Sequence, residues 1–347
     1  MDKIIFQNGI ANQQISVTLK KYTASFSKII FLCDTNTERD CLPLLDIEVF
    51  LNSEKIFISA GETHKNIQTC QHIWSELLRL RADRNTVLVN VGGGVVSDMG
   101  GFAAATYKRG IAFINVPTSL LAMVDASVGG KTGIDFGGIK NSIGVFKTPE
   151  AVLIDTIFLQ TLSPRELQSG YAEMIKHHLI SGIPLPELGK LTYIDIERSV
   201  AVKSAIVAAD PTEQGLRQVL NFGHTVGHAI EAYCLYTDLA LLHGEAVALG
   251  MAVEAAISSD LYGWDFDLFY NQYKFLLIYN YKYINQKYFT LPLPEVWELM
   301  QNDKKNTENT VKMVALRKIG DPVYGISITL QQIENAYKRV LLGYNKR

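Results

Sequence analysis

The feature that most constrains the fold is an alternation in the first half of the chain. Four short β-branched runs, 28–34 (KIIFLCD), 55–60 (KIFISA), 86–93 (TVLVNVGG) and 111–118 (IAFINVPT), read as buried strands, and 66–82 carries apolar residues at helical spacing. Parallel strands need long crossovers, usually helices, so the expected arrangement is a Rossmann-like parallel sheet with helices on its faces. From about residue 163 the texture changes. Ser163 stands as an N-cap, Pro164 at the first helical position and Glu166 at the third, the pattern of a capping box. Helical periods then follow at 195–210, 224–234, 243–260 and 330–342. The expectation is an α/β domain over 1–160 and a mainly α-helical domain over 161–347.

A chain of 347 residues, 48% hydrophobic and 20% charged, can bury a large core. Its formal net charge of -2 supplies no overall basic field for nucleic acid or an anionic membrane, so an anionic ligand must be met by local cations. Cys33, Cys41, Cys70 and Cys234 are isolated, which argues against a disulfide framework or a thiolate zinc site and fits a reducing cytoplasm. The start MDKIIFQNGI has no basic region followed by an apolar one, and no run approaches the roughly 20 apolar residues of a membrane span. The expectation is a soluble cytoplasmic protein. The aromatic stretch 262–290 reads as helix packing, given the area each ring buries.

Several segments could carry chemistry. Gly92, Gly93 and Gly94 directly follow an apolar strand and precede a small-residue helix, where glycine lets the backbone approach a pyrophosphate at a helix N-terminus. A tight strand-to-helix turn alone would also use them, and the spacing is not GxGxxG. However, CDTNT (33–37) and GETHK (61–65) end two other strands with polar residues, and three such ends at one sheet edge suggest a dinucleotide cleft. The glycine-rich segment 123–146 holds Asp125, Lys131, Lys140 and Asn141 and is expected to be a loop wrapped around a ligand, its lysines meeting a phosphate or carboxylate.

Further on, Glu173, Lys176 and His177 share one side of a helix, as solubility pairs also do. Arg217, Asn221, His224 and His228 follow one another about a turn apart, which aligns all four on one helical face unless Gly223 breaks the helix. His243 opens another helix. Together with Glu173 the three histidines make an N/O ligand set for Zn²⁺, and spacing alone favours binding through both His224 and His228, with Glu173 or His243 as the third ligand.

The stretches GETHK, GGGVVSD, VPTSLLAMVDASVGGKTGID, GGIKNSIGVF, YAEMIKHHLI, LRQVLNFGHTVGHAIEA, LLHGEAV and DKKN, running from about 61 to 306, resemble the 3-dehydroquinate synthases of the sugar-phosphate cyclase superfamily, which serve the shikimate pathway. The resemblance implies that 3-deoxy-D-arabino-heptulosonate 7-phosphate is converted to 3-dehydroquinate and phosphate. Bound NAD⁺ would take a hydride from C5 and return it after phosphate elimination, and an intramolecular aldol would close the ring. It makes Glu173, His224 and His243 the ligands of Zn²⁺ or Co²⁺ and leaves His228 for proton transfer, against the spacing-based choice. It puts Asp34, Asn36, Glu62, Lys65, Gly93, Gly94, Asp98, Thr118 and Ser119 around NAD, and Lys131, Lys140 and Asn141 near phosphate and nicotinamide. Arg217 and Asn221 suit the substrate carboxylate and hydroxyls; Asp125, Lys176 and Lys203 match positions around the reacting hydroxyls. Arg109 matches a residue reaching a neighbouring subunit's phosphate site, which implies a homodimer, and Lys304 is preferred over Lys305 as a further phosphate contact. Thr118–Ser119 stands where two threonines are usual.

Three other readings compete. Related cyclases act on sedoheptulose 7-phosphate or glucose 6-phosphate, which lack the carboxylate that Arg217 and Asn221 would meet. A metal-dependent polyol dehydrogenase shares the glycine turn and two-domain plan but releases reduced cofactor. A non-catalytic protein on this scaffold would be expected to have lost one of Glu173, His224, His243 or Lys131, and all are present.

Overall fold

In the computed structural model of the protein, which describes residues 3–7, 12–45, 53–137, 139–235, 237–279, 281–282, 284–301 and 311–345, the first-half alternation forms a six-stranded sheet. One compact unit comprises Met1–Ser163 with Lys190–Ser204, and a second comprises Pro164–Gly189 with Ala205–Arg347. The short return of 190–204 to the first unit has no counterpart in the sequence reading.

The first unit contains β1 (Ile4–Gln7), α1 (Asn12–Thr23), β2 (Lys28–Asp34), α2 (Thr35–Asp40), β3 (Glu54–Ile58), α3 (Ile67–Arg79), β4 (Thr86–Gly92), α4 (Gly94–Thr106), β5 (Ala112–Pro117), β6 (Lys131–Phe136), β7 (Ile139–Phe146) and β8 (Ala151–Asp155). The sheet order is β1-β8-β5-β4-β2-β3, with every pairing parallel. All seven residues of β4 are buried, as a strand covered on both faces requires. Asn66 caps α3 by accepting the Thr69 N–H at 3.0 Å, and Cys70, Ile73 and Leu77 bury one stripe of that helix. Because the strands run one way, Asp34, Gly61–Lys65, Gly92–Gly94 and Thr118–Ser119 all emerge at one edge. The chain passes outward from β2 to β3 and then returns to the other side of β2 as β4, which leaves a crevice at the switch point.

The segment 123–146 corrects the expected loop. After a wide helical turn at Ala122–Ala126, β6 and β7 form an antiparallel ribbon in which Gly133 lies opposite Gly144. A Cβ on Gly144 would stand 2.3 Å from the Thr132 carbonyl oxygen, so glycine here allows close strand approach.

The second unit contains α5 (Pro164–Ser181), part of α6 (Tyr193–Ala209), α7 (His224–Cys234), α8 (His243–Tyr262), α9 (Phe266–Lys274), α10 (Leu293–Gln301), an antiparallel ribbon of β9 (Val311–Lys318) and β10 (Asp321–Ile328), and α11 (Leu330–Asn345). Helix α8 is its centre, being buried without interruption from Gly244 to Ser259, as an all-round apolar helix must be. The aromatic segment packs as expected: Phe266, Phe269, Tyr270 and Tyr273 are buried, and the Phe269 and Tyr273 rings stack at 4.8 Å. The four cysteines are buried and free. Among the described residues no helix is long and apolar enough to cross a membrane.

Candidate active site

At the strand edge of the first unit, Gly92 is required by packing, since a Cβ there would lie 2.5 Å from Val96. Gly93 occupies the N-cap of α4 and supplies no capping side chain, so the first N–H groups of a long helix remain available to an anion. Around this end the polar residues pair with one another. Buried Lys65 donates to Asp98 Oδ2 at 2.5 Å and to Asn141 Oδ1 at 2.6 Å, and Lys140 lies 3.2 Å from Glu62 Oε1. Burial alone would lower the Lys65 pKa; the carboxylates of Asp98, Glu62 and Asp135 outweigh it and hold the ammonium charged. The Asn141 N–H donates to Asp135 Oδ1 at 2.7 Å from a left-handed backbone, φ 49°.

Asp34 Oδ1 accepts the N–H groups of Asn36 (2.9 Å) and Thr37 (2.8 Å), so one oxygen of the expected ribose ligand is committed to starting α2. The Thr118 N–H donates to the Gly92 carbonyl at 3.0 Å, and Ser119 Oγ accepts the Ala122 N–H at 3.2 Å. Lys203 on α6 donates to both the carbonyl (2.7 Å) and Oδ1 (2.6 Å) of Asp125. Lys131 is exposed at the start of β6. Arg109 is exposed beyond the far end of α4, about 20 Å from Gly94 along a helix rising 1.5 Å per residue. It therefore cannot serve the glycine turn of its own sheet.

In the second unit Gly223 does break the helix. Leu216–Asn221 is a 3-10 turn, Gly223 is left-handed at φ 81°, and α7 begins afresh at His224. A Cβ on Gly223 would meet Met251 Cγ at 2.3 Å, so both conformation and packing demand glycine. Arg217 and Asn221 thus sit on a different element from the histidines. Arg217 is almost fully buried and its Nη1 donates to the Pro211 carbonyl at 2.6 Å; Asn221 Nδ2 donates to Glu213 Oε1 at 2.9 Å.

Helices α7 and α8 cross where both lack side chains: a Cβ on Gly250 would lie 2.0 Å from the Gly223 carbonyl, and one on Gly227 2.9 Å from the Ala246 carbonyl. This close crossing gathers the histidines. The His224 and His228 rings are 5.0 Å apart, His224 and His243 5.4 Å, His228 and His243 5.5 Å, and one ring nitrogen of each lies within 4.8 Å of the others. From α5, fully buried Glu173 points Oε1 at His224 Nε2 (3.5 Å) and His243 Nε2 (3.6 Å), while the buried Lys176 ammonium lies against Oε2. Glu173 and Lys176 are therefore interior groups rather than a solubility pair.

Burial would raise the Glu173 pKa, but Lys176 and the two histidines hold it well below the usual carboxylate range. Burial, then Lys176, depresses His224; burial also opposes charge on His243, but the facing carboxylates of Glu173 and Glu231 raise it to about 10. Neither Glu173 oxygen makes a hydrogen bond. A buried carboxylate left so, facing imidazole nitrogens at 3.5 and 3.6 Å, is suited to ligands sharing one ion, and a set of one carboxylate and imidazoles suits Zn²⁺ or Co²⁺. The geometry accommodates either histidine assignment.

Sequence reasoning passed over three carboxylates. Glu231 lies 3.4 Å from His243 Nδ1, and its place seven residues, or two turns, after His224 was a usable signal. Glu254 accepts the N–H groups of Gly223 (2.7 Å) and Val226 (3.1 Å), capping α7 from α8; it is a lone charge in the apolar run 246–259. Glu213 holds Asn221 from a left-handed backbone, φ 60°, which no residue pattern announces. Lys304 and Lys305 lie outside the described residues.

Residues 55–169 match the family described as 3-dehydroquinate synthase N-terminal, and residues 170–306 the one described as 3-dehydroquinate synthase C-terminal. The chain is 42% identical over 320 residues to the 3-dehydroquinate synthase of Parabacteroides distasonis, covering 89% of this chain and 90% of that one. Among solved structures, 2-epi-5-epi-valiolone synthase from Streptomyces hygroscopicus subsp. jinggangensis, with NAD⁺ and Zn²⁺ bound, matches with a TM-score of 0.82 at 24% identity, covering 98% of this chain and 96% of that one. A 2-deoxy-scyllo-inosose synthase complexed with carbaglucose-6-phosphate, NAD⁺ and Co²⁺ matches with a TM-score of 0.82 at 23% identity, covering 97% of this chain and 96% of that one. At such identities these two structures establish the fold they share with this chain.

Proposed function

The chain belongs to the 3-dehydroquinate synthase family, and from that premise we propose how its residues divide the conversion of 3-deoxy-D-arabino-heptulosonate 7-phosphate into 3-dehydroquinate and phosphate, a carbon–oxygen lyase reaction. The α/β domain holds NAD⁺ and the helical domain holds the metal and substrate. When bound, NAD⁺ supplies a hydride acceptor for C5, and Zn²⁺ or Co²⁺ supplies a Lewis acid for its oxygen.

Glu173, His224 and His243 hold the metal. The observation that carries this reading is the buried Glu173 carboxylate, without a hydrogen bond and facing both Nε2 atoms. His228 moves a proton at a ring nitrogen, and Lys176 offsets the buried negative charge. Arg217 takes the substrate carboxylate through its planar fork, which a lysine could not match, and Asn221 meets a hydroxyl. Lys131, Lys140 and Asn141 bind phosphate and orient the nicotinamide. Asp125, ion-paired with Lys203, orients a reacting hydroxyl. The N-terminus of α4 at Gly93–Gly94 receives the pyrophosphate, while Asp34, Asn36, Glu62, Lys65, Asp98, Thr118 and Ser119 line the rest of the nucleotide site. The exposed, distant Arg109 serves the phosphate site of a second copy, so the working form is a homodimer, and the four free cysteines suit a reducing cytoplasm.

The deciding experiment follows phosphate release from this substrate with catalytic NAD⁺, and NADH absorbance in the same cuvette. One phosphate per substrate without accumulating NADH, abolished by a chelator and restored by Zn²⁺, is expected. NADH rising with a plain polyol would instead indicate a dehydrogenase, and turnover confined to sedoheptulose 7-phosphate or glucose 6-phosphate a cyclase of non-carboxylate substrates.

A further inference from the structure

The two outer histidines of the cluster are held differently. His224 turns Nδ1 toward the carbonyl of Phe222, at 3.2 Å in its own turn. His243 has a carboxylate at each ring nitrogen: Glu173 Oε1 lies 3.6 Å from Nε2, and Glu231 Oε2 lies 3.4 Å from Nδ1. Glu231 is buried, on α7, and reaches a histidine on α8. The glycine crossing makes this possible, because Gly227 and Gly250 bring the two helix backbones together one turn before Glu231.

We propose that Glu231 is a positioning residue for the metal centre. By accepting the Nδ1–H of His243 it selects the tautomer whose Nε2 lone pair faces Glu173, fixes the ring plane, and makes Nε2 a stronger donor. A backbone carbonyl, as at His224, orients a ring but adds no full charge. The asymmetry therefore makes His243 the more electron-rich imidazole and Glu231 its source. The inference rests on the metal reading above; it adds a group that does not touch the metal.

The test compares the wild type with Glu231→Gln, Glu231→Ala and His243→Ala. Zn²⁺ affinity is measured by competition with a chromogenic chelator, and the visible ligand-field spectrum is recorded after Co²⁺ loading. Glu231→Gln is nearly isosteric and keeps an acceptor without the charge; about tenfold weaker Zn²⁺ binding and a shifted Co²⁺ band are expected, with Glu231→Ala nearer a hundredfold. Melting of the chelated proteins separates positioning from plain structural support. Lower melting temperature in Glu231→Gln with unchanged Zn²⁺ affinity and an unchanged Co²⁺ spectrum overturns the proposal. A wild type that binds no Zn²⁺, or a His243→Ala that binds it equally well, overturns the metal reading itself and this inference with it.

Discussion

The strand edge of the first unit and the helix crossing of the second treat their polar groups in opposite ways. At the strand edge, Lys65 is shared between Asp98 and Asn141, Lys140 faces Glu62, and Lys203 grips Asp125. At the crossing, Glu173 is buried facing His224 and His243, with the Lys176 ammonium against its other oxygen and without one hydrogen bond. A buried polar group left unbonded costs about 1–3 kcal/mol, and more when charged. The first region can thus stand finished before its ligand arrives. The second keeps a cost that an ion would offset, which is how a metal centre becomes coupled to stability.

Removing a ligand from the unfinished region is expected to have the largest effect. His243→Ala should lose metal and activity together, the activity by about a thousandfold if the ion contributes several kcal/mol to the transition state. Metal analysis and phosphate release on one sample check it; full metal content in this variant would make the cluster as self-sufficient as the strand edge. His228→Ala should keep its metal and lose about a hundredfold or more in rate, the range of one proton-transfer group. Metal loss there would restore His228 as a ligand and displace Glu173.

The same contrast explains what was legible in the sequence. β2, β4 and β5 were readable because a strand buried on both faces is a near-continuous apolar run, broken only where Asn90 and Asn115 bond to each other, and parallel pairing then forces Asp34, Gly92 and Thr118 to one edge. Helix α7 was readable only from His224 onward. The face from Arg217 to His228 was left open at Gly223, because periodicity cannot tell a tolerated helical glycine from a left-handed one, and Gly223 is required by Met251 from a distant helix. For the same reason the ribbon glycines of 133 and 144 looked like loop: glycine reports that something comes close, not what does. Glu231 and Glu254 were missed because their partners are histidine and backbone groups supplied by the opposite helix.

A smaller effect isolates the unfinished state itself. In chelated protein the His243 pKa is raised to about 10 by Glu173 and Glu231 against the opposing effect of burial, so its folded value exceeds the unfolded one. The folded state then binds the extra proton, and that stabilisation is complete below about pH 6.5 and is lost as pH rises through 10. His224 and Glu173 are shifted downward, so in the folded protein neither holds a proton for this window to remove. Burial raises Cys33, Cys41, Cys70 and Cys234 as well, so both forms lose stability toward pH 10; chelated protein should lose it more steeply from pH 7 upward, the His243 share being at most about 1.4 kcal/mol per pH unit, because a liganded His243 carries no such proton. Denaturant melts at several pH values check it; parallel curves with and without chelator would remove His243 from the centre.

The smallest expected effect tests the finished region through its glycines. Gly250 and Gly93 look alike in sequence, yet a Cβ on Gly250 would collide with a carbonyl at 2.0 Å, whereas one on Gly93 would rest 3.4 Å from Ser119 Oγ, an ordinary contact. The backbone of Gly93, φ -73° and ψ -169°, is also one that any residue adopts. Nothing in folding therefore demands glycine at 93, and Gly93→Ala should change stability by only about 0.5 kcal/mol. If the pyrophosphate lies as proposed, what the methyl obstructs is its approach to the uncapped N–H groups of α4. NAD⁺ affinity should fall about tenfold, some 1.4 kcal/mol, while Zn²⁺ affinity stays at the wild-type value. Fluorescence titration with NAD⁺ beside a melt of the same variant separates the possibilities. A variant that loses several kcal/mol yet binds NAD⁺ normally would make Gly93 a packing glycine like Gly250, and the two regions would then be built on one principle rather than two.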